Sequence, residues 1–167
     1  VVVSLRCTDY IRDTIQAQRV FLIYNDDSWH EVCIMSEFKL GARSLERLKG
    51  VHPDLVKVVK RALELTEYDF SVIEGVRSIE TQRAYVAKGV SKTMNSRHLT
   101  GHAVDLYPVG RPTPWDRCHN VAAAMLEAAI ELDISVRWGG DWNMNGDHRD
   151  EKFYDGPHFE LLRSKYP

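Results

Sequence analysis

A single acid inside a strand-length apolar run constrains this chain more than any other feature: Asp105 in Ala103-Val104-Asp105-Leu106-Tyr107. A short apolar run of this kind reads as a buried strand. A carboxylate buried there is expensive unless a cation or strong donors face it. Alternation along the strand puts Ala103 and Asp105 on one face and His102 on the other. His98 stands seven positions before Asp105, with Gly101 allowing a tight turn between them. Far downstream, His158 occupies a similar apolar setting beside Phe159 and Leu161, and Asp155 precedes it by three residues. Two imidazoles and one carboxylate are a normal ligand set for a catalytic zinc that keeps its fourth position for water. His98, Asp105 and His158 are therefore the candidate metal ligands, and Asp155 is placed to act on that water as general base and acid. His102 is a ligand by type, but alternation turns it away from the others.

The pattern Ser96-x-His98-x2-Gly101-x-Ala103-x-Asp105, followed by Asp155-x2-His158, resembles the signature of the zinc D-Ala-D-Ala peptidase and phage endolysin superfamily, whose fold is shared with the Hedgehog signalling domain. Within it the chain is similar to the single-domain phage L-alanyl-D-glutamate peptidases, from about Met35 to the C-terminus. The resemblance implies an α+β fold: a small antiparallel sheet carrying the zinc, with helices packed on one side and loops covering the other. It implies hydrolysis of the L-Ala–D-Glu bond of peptidoglycan stem peptides, for host lysis. It agrees with the ligand set His98, Asp105 and His158. By its residue type alone, Arg77 reads as a surface ion pair. The Gly75-Val76-Arg77-Ser78 context resembles that of related dipeptidases, which implies that Arg77 steadies the charge developing on the scissile carbonyl. A D-Ala-D-Ala carboxypeptidase or dipeptidase of cell-wall metabolism is the alternative. A non-catalytic zinc-binding module is disfavoured by the presence of both Arg77 and Asp155.

Composition narrows the class. A chain of 167 residues, 44% of them hydrophobic, is one domain of ordinary globular make-up with enough material for a core. A net charge of −2 gives no reason to expect nucleic-acid binding. No apolar run approaches the roughly 18 to 20 residues of a membrane span, so no membrane anchor is expected. Of Cys7, Cys33 and Cys118, only the last lies beyond residue 34, so no disulfide framework is expected. We expect a monomer that accumulates in the host cytoplasm until a holin-type pore releases it to the wall.

Residues 1–34 read poorly as part of the same protein. Met35-Ser36-Glu37-Phe38 looks like a natural start, and Glu31-Val32 can be encoded by GAG-GTN, which contains a bacterial ribosome-binding sequence. The expectation is a poorly ordered extension from a mis-set start at 1–34, without chemistry, and a catalytic domain at 35–167. Within the extension, Ile11 to Tyr24 suits a short helix or strand and Asn25 to Ser28 a turn.

The remaining elements follow in order. His52 enters a helix whose first turn holds Pro53 and which runs to Thr66, with Leu55, Val58, Val59, Ala62, Leu63 and Leu65 at helical spacing. Asp69 to Arg77 reads as a strand, and Ser78 caps a helix that stops at Gly89. Residues 90–95 form a polar loop delivering Ser96 and His98. Ser96 is open between capping, orienting the loop and touching substrate. Pro108 to Pro114 is a rigid loop, and Trp115 to Leu132 a long helix with Val121, Ala122, Met125, Leu126, Ala129 and Ile130 facing the core. Ile134 to Trp138 and His158 to Leu161 are strands. Between them, Asp141, Asn143, Asn145, Gly146 and Asp147 match the first half of an EF-hand calcium loop, although position twelve is Lys152 rather than Glu. The resemblance is to family members with a calcium-responsive loop before the last histidine, which implies a weak regulatory calcium site here.

Overall fold

The structure, a computed structural model, describes residues 2–3, 20–25, 28–33, 37–110 and 117–167. They fall into two units, Val1–Glu37 and Phe38–Pro167. The first holds three antiparallel strands in the order β1 (Val2–Val3), β2 (Val20–Asn25) and β3 (Ser28–Cys33). Asn25 pairs with Ser28, so the expected turn falls between paired strands, its tip lying outside the described residues.

The second unit carries the site. Its order is α1 (Ala42–Arg47), α2 (Pro53–Leu65), β4 (Phe70–Glu74), α3 (Ile79–Ala87), β5 (Ala103–Pro108), α4 (Arg117–Glu131), β6 (Val136–Trp138) and β7 (His158–Leu161). The four strands form one antiparallel sheet in the order β4-β5-β7-β6. Helices and a small antiparallel sheet make this an α+β fold. Among the described residues, no helix is long and apolar enough to cross a membrane.

Local chemistry explains the helices. The imidazole of His52 caps α2 by accepting from the Asp54 amide, and Pro53 follows with no amide hydrogen to satisfy. Leu55, Val58, Val59, Ala62 and Leu63 then form one buried stripe at spacings of three and four. Ser78 caps α3 by accepting from the Thr81 amide at 3.2 Å. In α4 the buried face is Cys118, Val121, Ala122, Ala124, Met125, Ala128 and Ala129. Ile130, expected in the core, is 61% exposed, because it lies about 200° around the helix from Ala128. The start of α4 expected at Trp115, and most of the loop from Pro108 to Pro114, lie outside the described residues.

One apolar cluster joins α2, α4 and the inner face of the sheet: Leu55, Val59, Val72, Val104, Leu106, Met125, Phe159 and Leu161 are all essentially inaccessible. The opposite face of the same strands is polar. Register sets that face in rows, since Glu74 pairs with Asp105 and Asp105 with His158, while Ala103 pairs with Glu160 and Glu160 with Arg137. The sheet thus has an oily side that packs on the helices and a charged side that faces away from them.

Candidate metal centre

Asp105 and His158 are direct partners across the β5–β7 ladder. The Leu106 amide donates to the Pro157 carbonyl at 2.9 Å, one step outside the pair on both strands. Asp105 and His158 therefore form a non-hydrogen-bonded pair, the kind whose side chains approach closest. His98 comes from a 3-10 turn at Arg97–Thr100, just before β5. Ser96 caps that turn by accepting from the His98 amide, and Gly101 closes it in the left-handed region at φ +71°. Of the three openings left for Ser96, capping is the contact the structure contains.

The result is a tight triangle of ligand atoms. His98 Nε2 lies 3.1 Å from Asp105 Oδ1, His158 Nδ1 lies 3.1 Å from the same oxygen, and the two nitrogens are 3.2 Å apart. Among the described residues, this is the one group of three or more potential metal-ligating side chains brought together. The outer nitrogens decide what the inner ones can do. His98 Nδ1 lies 2.7 Å from the Gly75 carbonyl, which can only accept, so the proton sits on Nδ1. His158 Nε2 lies 3.1 Å from the Glu160 carboxylate and donates its proton there. Both inward nitrogens then present bare lone pairs, beside a carboxylate oxygen. Three such acceptors repel one another unless a cation joins them. Tetrahedral zinc with bonds of about 2.0–2.1 Å separates its ligands by about 3.3 Å, close to the observed spacing. The donor set therefore fits a metal of this kind. His102 points elsewhere, its Nδ1 on the Thr100 hydroxyl at 2.9 Å.

The electrostatics match the geometry. Burial would raise the Asp105 carboxyl, but the neighbouring His158 and His98 imidazoles outweigh it and hold the group well below the usual range. Burial would lower the His158 imidazole, but the Asp105 and Glu160 carboxylates outweigh it and raise it, so the cluster favours added positive charge, a proton or a metal cation, at the inward nitrogen. Burial would also raise Glu160, which His158 and Arg137 hold down, with Arg137 Nη2 at 2.5 Å from its Oε1. Burial pushes the Asp155 carboxyl upward; His158 pulls against this and Asp105 adds to it. Asp155 is thus within electrostatic reach of the triangle and more basic than an exposed aspartate.

Glu160 escaped the sequence reading, yet it carries the signal that picked out Asp105: an acid in an apolar strand, two residues from His158 on the same face. Arg137 opposite it completes an Arg137–Glu160–His158 chain behind the candidate metal position. Carboxylates in this position orient a ligating histidine and raise its basicity.

Arg77 departs from expectation in its placement. The strand ends at Glu74, not Arg77, after a bulge between Val72 and Glu74. The reason is competition for backbone groups: the Gly75 carbonyl is taken by His98, and the Arg77 amide donates to the His98 carbonyl at 3.1 Å. Arg77 therefore stands on the connection to α3 and leans over the ligand row. Its side chain pairs with Glu74 through two nitrogens, reaches Gln82 Oε1 at 2.7 Å and lies 3.5 Å from Asp105 Oδ2.

The segment from Gly139 to Asp155 closes on itself. The Asp155 amide donates to the Gly139 carbonyl and the Gly139 amide to the His158 carbonyl, both at 2.8 Å. A side chain at Gly139 would meet the Asp155 carbonyl oxygen at 2.6 Å and His158 Cβ at 2.9 Å, so only glycine lets the three backbones approach. Trp142 folds back from this loop, its ring 5.3 Å from that of His158. Beyond it, Asp141 accepts from the amides of Asn145 and Gly146, and Asp147 is paired with Arg149. The Asp150 carboxylate accepts from the side-chain Nδ2 groups of Asn143 and Asn145.

Comparison with known proteins bears on this arrangement. A family model described as phage L-alanyl-D-glutamate peptidase matches residues 35–162. The L-alanyl-D-glutamate peptidase of Escherichia phage T5 is 38% identical over 135 residues, covering 75% of this chain and 98% of that one. The peptidase of the same name from Listeria phage A118 is 27% identical over 129 residues, covering 75% of this chain and 43% of that one. The crystal structure of the Serratia marcescens L-Ala D-Glu endopeptidase ChiX superposes with a TM-score of 0.68 at 45% identity, covering 78% of this chain and 95% of that one. The family match runs through all four strands of the charged sheet and every residue of the triangle, and with the near-complete span of the phage T5 relative it means that this chain belongs to the phage L-alanyl-D-glutamate peptidase family.

Proposed function

We propose that the protein is a zinc peptidase that hydrolyses the L-Ala–D-Glu bond of peptidoglycan stem peptides, with residues 35–167 carrying the chemistry and 1–34 none. The observation that carries the metal is the convergence of three bare acceptor atoms, His98 Nε2, Asp105 Oδ1 and His158 Nδ1, within 3.2 Å of one another. The bond follows from family membership and from the names of the relatives. Delivery to the host wall through a holin-type pore, and action as a monomer, belong to the same proposal.

Zinc held by these three residues would lower the pKa of a water towards neutrality. Asp155, made more basic by burial, takes a proton from the attacking water at its carboxylate. It returns that proton to the leaving amine nitrogen as the C–N bond breaks. Arg77 donates to the carbonyl oxygen as negative charge develops there. Glu160 and Gly75 hold the two imidazoles in the tautomers that keep their inner nitrogens free. Trp142 forms an apolar wall beside His158.

Mass spectrometry of products from purified peptidoglycan tests this reading. The full chain should release peptides that begin at D-Glu, leave L-Ala on the glycan, and release nothing after zinc is chelated. Release of D-Ala alone would move the protein to the carboxypeptidase alternative. Unchanged release under chelation would remove the metal from the mechanism.

We also propose a weak calcium site on the loop that carries Asp141, Asn143, Asn145 and Asp147. Asp150, against Asn143 and Asn145, supplies the carboxylate that Lys152 at the twelfth position cannot. Calorimetry on zinc-loaded protein should give heat on adding calcium; a flat trace would end this proposal.

A further inference from the structure

Helix α3 is held down in an unusual way. Its one fully buried residue is Gln82, at 0% exposure. A buried amide must be hydrogen-bonded to be tolerated, and this one is bonded at both ends. Its Oε1 accepts from Arg77 Nη1 at 2.7 Å. Its Nε2 donates to Ser91 Oγ at 2.8 Å and to the Thr93 carbonyl at 2.6 Å. Those two residues belong to the loop that runs directly into Ser96 and His98. Gln82 thus joins the guanidinium over the ligand row to the segment that delivers the first ligand.

The guanidinium itself has five N–H donors in a fixed plane. Two go to Glu74, one lies towards Asp105 and one goes to Gln82. Among the described residues this leaves one hydrogen, on Nη1, the same nitrogen that Gln82 holds. Glu74 fixes one edge of the plane, and the Tyr85 ring lies 4.7 Å from its central carbon. Gln82 fixes the other edge. We infer that Gln82 is a positioning residue for the reaction, setting the direction of the free Arg77 N–H through its side-chain oxygen and tying that direction to the His98 loop through its side-chain nitrogen. The inference rests on the role given to Arg77 above.

The test is a double-mutant cycle on the full zinc-loaded chain, with kcat and KM measured on a soluble stem-peptide fragment. Arg77→Ala should lower kcat by about 10²–10³. Gln82→Met, which keeps the volume and removes all three side-chain hydrogen bonds, should lower kcat by about 10- to 100-fold with little change in KM. In the Arg77→Ala background the same change should cost nothing further, because it acts through Arg77. Gln82→Glu, which still accepts from Nη1, should recover most of the rate lost in Gln82→Met. If Gln82→Met fails to fold, Gln82→Asn, whose shorter amide withdraws from Nη1, takes its place in the cycle. A wild-type kcat in the Gln82 variant beside an impaired Arg77→Ala would overturn the inference and leave the Arg77 role standing. An equal loss in both backgrounds would overturn it as well, by showing a general structural effect. A wild-type kcat in Arg77→Ala would remove both.

Discussion

Asp105 and His158 face each other across a strand ladder, whereas Arg77 and Asp155 stand on connections between elements. The two pairs lie over the same charged face but are fixed by different physics. Ladder register places the first pair, and the apolar cluster beneath the sheet holds that register. Side-chain and backbone hydrogen bonds place the second pair: Glu74 and Gln82 for Arg77, the Gly139 carbonyl for Asp155. Strand positions are hard to shift without unfolding the sheet. Connection positions depend on a few bonds each. Of the three proposed metal ligands, Asp105 and His158 sit on the rigid ladder and His98 on the short 3-10 turn leading into it, whereas both groups proposed to meet the substrate sit on the adjustable connections.

Substitutions should separate the two. On the strand side, His158→Ala is expected to abolish zinc binding, measured by metal analysis after dialysis, and with it all turnover. Full zinc content in that variant would break the comparison at its root. On the connection side, Gly139→Ala forces the Asp155 and His158 backbones apart. The expected result is a kcat lower by roughly 10²-fold with zinc retained; loss of zinc instead would mean that the connection, too, holds the metal. Glu160→Ala removes the carboxylate behind His158 while leaving the ladder in place. Zinc affinity, read by competition with a chromogenic chelator, should fall by about 10- to 100-fold. Far from the site, Arg61 on α2 forks onto Glu131 of α4, with its Nε 2.5 Å from one carboxylate oxygen. Arg61→Ala should cost no more than about 1 kcal/mol in denaturant unfolding and leave kcat unchanged.

The strand-side residues were also the more legible in the sequence. Asp105 stood out because an acid in an apolar strand is costly, and its alternation separated it from His102. The helices were legible from stripes and caps, as in the Leu55 to Leu63 pattern and the His52 and Ser78 caps. Connection geometry was not. The strand before Arg77 read as three residues too long, because the bonds that end it come from His98, more than twenty residues away. Gln82 carried no signal at all, since a glutamine in a short helix is ordinary until its partners are seen in space. Ile130 was misplaced for a simpler reason: helical phase errors grow over a long helix whose apolar residues surround much of its circumference. Glu160 carries the same signal as Asp105, an acid in an apolar strand on the same face of the sheet.

The central claim is that the metal is held by His98, Asp105 and His158 while the proton is carried by Asp155. Zinc content and turnover of Asp155→Ala, measured on the same preparation, test it most directly. The account predicts one zinc per chain with turnover reduced by about 10²–10⁴-fold. A zinc-loaded variant that turns over at the wild-type rate would contradict it.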